Sequence, residues 1–100
     1  KRQFIKDIQA AIGAKVDGIV GSETLSKTIT VSKNKNNKHA VVKPIQKYLN
    51  FIGFDCGNVD GVAGVKFDAA VKSYQKKNNC VTDGEITKSG NTWKKLLGLK

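Results

Sequence analysis

The side chains in this 100-residue chain that could do chemistry are few: eight carboxylates, one histidine (His39) and two cysteines (Cys56 and Cys80). Hydrolysis of a glycosidic bond takes two carboxylates flanking that bond. A Ser or Cys nucleophile takes a base within reach. His39 ends the polar stretch Ser-Lys-Asn-Lys-Asn-Asn-Lys-His from Ser32, which reads as a solvated linker rather than a catalytic environment. Two cysteines and one distant histidine make too small a ligand set, at unsuitable spacing, for a metal. Three of the carboxylates stand directly before glycine, in Asp17-Gly18, Asp60-Gly61 and Asp83-Gly84. Such an aspartate accepts hydrogen bonds from backbone N–H groups two residues on, and the glycine supplies a positive φ, so these carboxylates read as turn formers. Neither a catalytic set nor a metal or other cofactor is expected.

The surroundings of those pairs recur. The first lies in Val16-Asp17-Gly18-Ile19-Val20-Gly21, the second in Val59-Asp60-Gly61-Val62-Ala63-Gly64, and the third in Thr82-Asp83-Gly84-Glu85-Ile86. Gln9 stands eight residues before Asp17, and Gln75 eight before Asp83. Recurrence on this scale points to one supersecondary unit used several times. Gly21 and Gly64 let the chain turn into the next helix, and Ile19-Val20 and Val62-Ala63 are expected to tuck under and seal the core. The units also differ: Phe67 holds the place of Thr24, and Thr87 that of the second glycine, with two extra residues before Thr92.

The elements that carry these loops are helical by pattern. Phe4, Ile5, Ile8, Ala11 and Ile12 fall on one helical face, ended by Gly13. Ser22 is the expected N-cap of a short helix through Leu25, after which the β-branched run Thr28-Ile29-Thr30-Val31 should be extended. A second strong helix carries Val42, Ile45, Tyr48, Leu49 and Ile52, with Pro44 in its first turn, where its missing N–H is harmless. A third carries Phe67, Ala70, Val71 and Tyr74 and ends near Asn78-Asn79. The last begins with Asn91 as N-cap, buries Trp93, Leu96 and Leu97, and stops at Gly98. The fold class is therefore all-α, with Ile45/Leu49/Ile52 and Val71/Tyr74/Trp93/Leu96/Leu97 meeting in one core. A shortened N-terminal repeat (1–32), a polar linker (33–40) and a main unit (41–100) are the expected divisions.

Eighteen basic against eight acidic residues give a formal charge of +10. That imbalance concentrates polyanions of any kind. All the basic residues but Arg2 are lysines, which lack the planar fork that reads bases or grips phosphate. A nucleic-acid-binding helical domain is thus the weaker alternative, and a dimerisation or interdomain-packing module is another. The apolar runs are too short to span a bilayer, so no membrane partner is expected. Cys56 and Cys80 both lie in loops leading to an Asp-Gly pair. Two thiols are expected, with a bridge as the alternative that only geometry decides. With neither an initiator Met nor a leader before Lys1, the chain reads as an internal or C-terminal piece of a longer protein.

The order Ile45-Gln46-x-x-Leu49, Gly53-Phe54, Val59-Asp60-Gly61-x-x-Gly64, Ala69-Ala70-Val71-x-x-Tyr74-Gln75, Asp83-Gly84 and Thr92-Trp93-x-x-Leu96 resembles the peptidoglycan-binding domain of bacterial and phage cell-wall hydrolases. The N-terminal Ile8-Gln9 and Val16-Asp17-Gly18-Ile19-Val20-Gly21-x-x-Thr24-Leu25 look like a shortened copy. The layout is similar to the C-terminal region of N-acetylmuramoyl-L-alanine amidase endolysins and autolysins of clostridia and their phages. The resemblance implies a three-helix bundle without catalysis of its own, a catalytic domain elsewhere in the full-length chain, and a place at the cell wall. The implied ligand is a glycan strand with acidic peptides, with anionic wall polymers drawn by the lysines. Candidate contacts near the main loop are Tyr48, Phe54, Asn58, Asp60, Gln75 and Asn91. Trp93, on the face shared with Leu96 and Leu97, is expected to plug the core rather than carry a sugar.

Overall fold

A computed structural model describes residues 1–99. Five helices follow in order: α1 (Arg2–Ile12), α2 (Ser22–Ser26), α3 (Val42–Phe51), α4 (Val65–Lys77) and α5 (Asn91–Leu97). The all-α expectation holds: among the described residues the only extended pairing is two isolated bridges, Val31 with Ile86 and Ser32 with Lys35.

Each helix buries the stripe its periodicity marks. Phe4, Ile5 and Ile8 of α1, Ile45 and Leu49 of α3, Phe67, Val71 and Tyr74 of α4, and Trp93, Leu96 and Leu97 of α5 join in one cluster. Ile52 packs against its edge. Burial of a side chain of this size stabilises by about 1.5–3 kcal/mol relative to leaving it in water. Stop signals act as chemistry requires. Gly13 and Gly98 cap α1 and α5 in the left-handed region, at φ +75° and +86°, where a Cβ would clash with the backbone. The starts of α2 and α5 differ from expectation by one residue. Gly21 and Gly90 are the N-caps, and Ser22 and Asn91 are already helical, with no side-chain cap bond.

The N-terminal segment packs on the rest. Phe4 of α1 stacks on Tyr48 of α3 with ring centroids 4.4 Å apart. The β-branched run then crosses the third loop as a seam. Val31 exchanges both backbone bonds with Ile86 (2.9 and 2.8 Å), and the Trp93 indole donates to the Ile29 carbonyl at 2.7 Å. Thr30 and Thr28 hydroxyls accept the N–H groups of Lys88 and Ser89, so the longer third loop is filled by bonds to this seam. The Cα radius of gyration of 12.0 Å matches about 13 Å for one compact chain of this length. The polar stretch 33–40 is solvated but tied: Asn36 donates to the Thr30 carbonyl, Ala63 N–H to the Asn37 carbonyl, and Val41 N–H to His39 Nδ1.

Candidate functional site

The three Asp-Gly loops are held by one device, built around a buried glutamine on the helix before each loop. Gln9, Gln46 and Gln75 are at most 1% exposed. Their side-chain carbonyls accept the N–H of Gly18, Gly61 and Gly84, each at 2.9 Å. Their amide nitrogens donate to Asp17, Asp60 and Asp83, each at 3.1 Å. The same nitrogens donate to the carbonyls of Ile19, Val62 and Glu85 at 3.0, 3.1 and 2.9 Å. Each aspartate in turn accepts the N–H two residues on, at 3.0, 3.0 and 2.9 Å. Those N–H groups of Ile19 and Val62, and then the glutamine amides, hold the Asp17 and Asp60 carboxyls below the ordinary aspartate range.

Holding the carbonyl of the residue after each glycine turns its side chain outward and the next one inward. Ile19 is 66% exposed and Val62 38%, so the expectation that both apolar residues of each pair seal the core is corrected. Only Val20, Ala63 and Ile86 turn toward it. The glycines sit at φ +73°, +80° and +75°. Over each lies the lysine three residues before the glutamine: a Cβ would meet Lys6, Lys43 or Lys72 at 3.4, 3.4 and 3.2 Å.

The second unit departs from the others at two contacts. The Asp17 and Asp83 backbone N–H groups donate to the glutamine carbonyl at 3.1 and 3.2 Å, a bond Asp60 does not make, and a threonine contact is missing. The Thr24 and Thr92 hydroxyl oxygens also lie 3.1 Å from the glutamine amide nitrogen and share one of its two protons with another acceptor, a contact Phe67 cannot make. An amide NH₂ has two protons, and Asp60 with the Val62 carbonyl already takes both. Losing the hydroxyl therefore leaves nothing unsatisfied, and among the described residues no buried side-chain N or O lacks a partner. The longer second loop carries its own brace: Asn50 accepts from Cys56 N–H at 2.6 Å and donates to the Gly57 carbonyl at 3.0 Å.

Beside this loop opens a groove of about 340 Å³, with Gln46, Cys56 and Phe67 on its floor and Asn58, Asp60 and Lys66 among its walls. Of the six residues expected near a ligand, only Asn58 and Asp60 share it. Tyr48 lies on α3 in a separate trough beside Phe4, and Phe54 meets Tyr74 edge-on at 5.4 Å. Asn91 lines a hollow at the third loop. Gln75 is enclosed, its amide fully used by the third loop; its eight-residue spacing from Asp83 records a bracket. Lys66 and Asn50 were not singled out by sequence. Asn50 sits on the same helix as Gln46, and no spacing pattern links it to Cys56.

The model of the peptidoglycan binding domain family matches residues 38–96, a span that takes in α3, α4 and all of α5 but its last residue. The chain belongs to that family. No curated protein and no solved structure gave a match. In this peptidoglycan binding domain the glutamine brackets tie each loop to the helix before it, and the second loop places Asn58 and Asp60 beside an open groove. Among the described residues no cluster of three metal-ligating side chains occurs, and no helix is long and apolar enough to cross a membrane. Cys56 is buried and Cys80 half-buried, both as free thiols.

Proposed function

We propose that this chain is a non-catalytic anchor that holds a peptidoglycan hydrolase on the cell wall, with the groove of the second loop as its main contact. The observation that carries this is the groove itself. It lies within the span matched to the peptidoglycan binding family, and its floor is fixed by the Gln46 bracket. Asn58 and Asp60 offer hydrogen bonds to hydroxyls and acetamides of a glycan, and Lys66 attracts a stem-peptide carboxylate. Pre-organisation of this kind lowers the ordering cost of binding. The charge of +10 adds a diffuse attraction to anionic wall polymers, and salt screens it.

The partner enzyme is an N-acetylmuramoyl-L-alanine amidase of the endolysin or autolysin type, in the same full-length chain and working outside the membrane. Residues 1–32 are a shortened first repeat joined through 33–40 to the main unit. Support comes from the first glutamine bracket, which repeats the geometry of the other two. Holding the enzyme on an insoluble polymer raises its effective concentration there.

Co-sedimentation with purified sacculi, with and without teichoic acids, tests this. Binding should persist on teichoic-acid-free sacculi at about 0.5 M salt, where the screening length is about 4 Å. Asn58→Ala with Lys66→Ala, both exposed positions, should weaken it about tenfold. Complete release by salt, or retention on duplex DNA in place of sacculi, would overturn the proposal.

A further inference from the structure

A trough between α1 and α3 lies away from the loop groove and draws half its wall from outside the family match, which begins at residue 38. Its volume is about 220 Å³, and its floor is aromatic: Phe4 and Tyr48 lie stacked at 4.4 Å and 16° between planes. Phe51 stands at one end, 85% exposed, and shares the trough with Phe4 and Tyr48, so it belongs to a contiguous apolar patch, the kind that marks a binding surface. At the other end the trough shares Asp7, Pro44 and Lys47 with a second hollow that reaches Lys43 and Val59. Lys43 in turn lies over Gly61, next to Asp60 of the loop groove. The two hollows form a track that follows α3 from Phe51 toward the second loop. The seven residue steps from Pro44 to Phe51 alone rise about 10 Å, the scale of a linear polymer rather than a compact ligand.

We infer that this track is a second ligand face, which seats a β-1,4-linked N-acetylhexosamine strand on Tyr48 and Phe51. The inference rests on the peptidoglycan-binding reading above and adds to it a second, aromatic face for the glycan, outside the loop groove. An equatorially substituted pyranose shows an apolar face of axial C–H groups and a rim of hydroxyls and acetamides. Aromatic rings with a polar border match both parts. The border is supplied by Lys47 and by Gln3 and Asp7, themselves bonded at 2.8 Å. Lysines 1, 43 and 47 outnumber Asp7 along the track, which suits a strand that carries carboxylates. A second copy of the chain fits poorly. Each copy carries +10, so two copies repel each other.

The test uses Phe51→Ala, whose exposure leaves the fold untouched, and Lys47→Ala. Probes are intact sacculi, peptide-free glycan strands that keep their lactyl carboxylates, and a neutral N-acetylglucosamine tetramer. Phe51→Ala should bind both soluble glycans about tenfold more weakly. Lys47→Ala should lose affinity only for the carboxylate-bearing strands. Wild-type binding to both glycans with Phe51→Ala unchanged overturns this inference alone and leaves the loop groove standing. Sacculus binding by the wild type without any affinity for peptide-free glycan does the same. A wild-type dimer in sedimentation velocity that Phe51→Ala dissolves assigns the face to self-association and also overturns it. Failure of the wild type to bind sacculi at all overturns both proposals.

Discussion

Gln75 and Asp83 clasp each other twice: the glutamine amide donates to the Asp83 carboxylate at 3.1 Å, and its carbonyl accepts the Asp83 backbone N–H at 3.2 Å. With the bonds to Gly84, Glu85 and Thr92, one buried side chain closes a whole loop onto two helices. Gln75→Ala leaves several of these groups unpaired, among them the buried Gly84 N–H and Thr92 hydroxyl. At about 1–3 kcal/mol for each buried group left unsatisfied, the loss should be at least 2 kcal/mol in chemical denaturation. Thr92→Val removes one bond of the set and should cost about 1 kcal/mol. Equal stability of Gln75→Ala and wild type would show the bracket to be ornamental.

The glycine in each bracket is constrained twice, by its positive φ and by what lies above it. At Gly61 an added Cβ meets only the flexible Lys43 stem, at 3.4 Å. Gly61→Ala should therefore lose about 1–2 kcal/mol, the left-handed strain alone. At Gly84 the Cβ would run into the Asp68 carboxylate, which is held by Lys72 at 3.0 Å. Gly84→Ala should be the more destabilised of the two by thermal unfolding. The reverse order would mean that Asp68 and Lys72 swing aside freely.

Acid should loosen two of the loops. In the folded chain Asp17 and Asp60 titrate below their ordinary value of 3.8 because backbone N–H groups and then glutamine amides stabilise the carboxylate. Below that value the unfolded chain binds more protons than the folded one, so stability falls with falling pH. The contribution is complete above the ordinary value and is lost as pH drops through the lowered folded ones. Melting temperature should hold steady from about pH 7 to 5 and decline below about pH 4. Asp60→Asn keeps the acceptor for Val62 N–H but cannot titrate, and should flatten part of that decline.

The two thiols should react at different rates. Burial first, and the neighbouring Asp55 charge second, push Cys56 up to about 11, and its side chain is only 4% exposed. Near pH 8 its thiolate is on the order of a thousandth of the population. Cys80 is half-buried, with only a weak contact to the Asn78 carbonyl at 3.7 Å. A disulfide-exchange reagent should label one thiol quickly in the native protein and the second only in denaturant. Cys80→Ser should remove the fast phase. A native protein with no titratable thiol would contradict the free-thiol structure.

Much of this was legible along the chain, because it is local. Helix stripes such as Phe4, Ile5 and Ile8 follow from a 3.6-residue period. Gly13 and Gly98 end helices because their φ demands glycine. The eight-residue spacing of Gln9 from Asp17 and of Gln75 from Asp83 announced a shared unit before any coordinate. The second bracket was harder to read, since Gln46 stands fourteen residues before Asp60 across a loop with its own Asn50 brace. Which of Ile19 and Val20 faces the core was also missed. That choice is set by a carbonyl bond to a side chain on another element, which sequence does not display.

By itself, then, the sequence determined the helices and the three turns, since each depends on neighbours within a turn or two of chain, and the order of its motifs from Ile45 to Leu96 marked the family. The tertiary structure alone decided where the binding candidates fall. Asn58 and Asp60 meet in one groove, Gln75 is enclosed as a bracket, and Tyr48 joins Phe51 on a different face. The reason is geometric: a side chain's exposure and its company depend on how α1, α3 and α4 pack, and packing is a property of the whole chain.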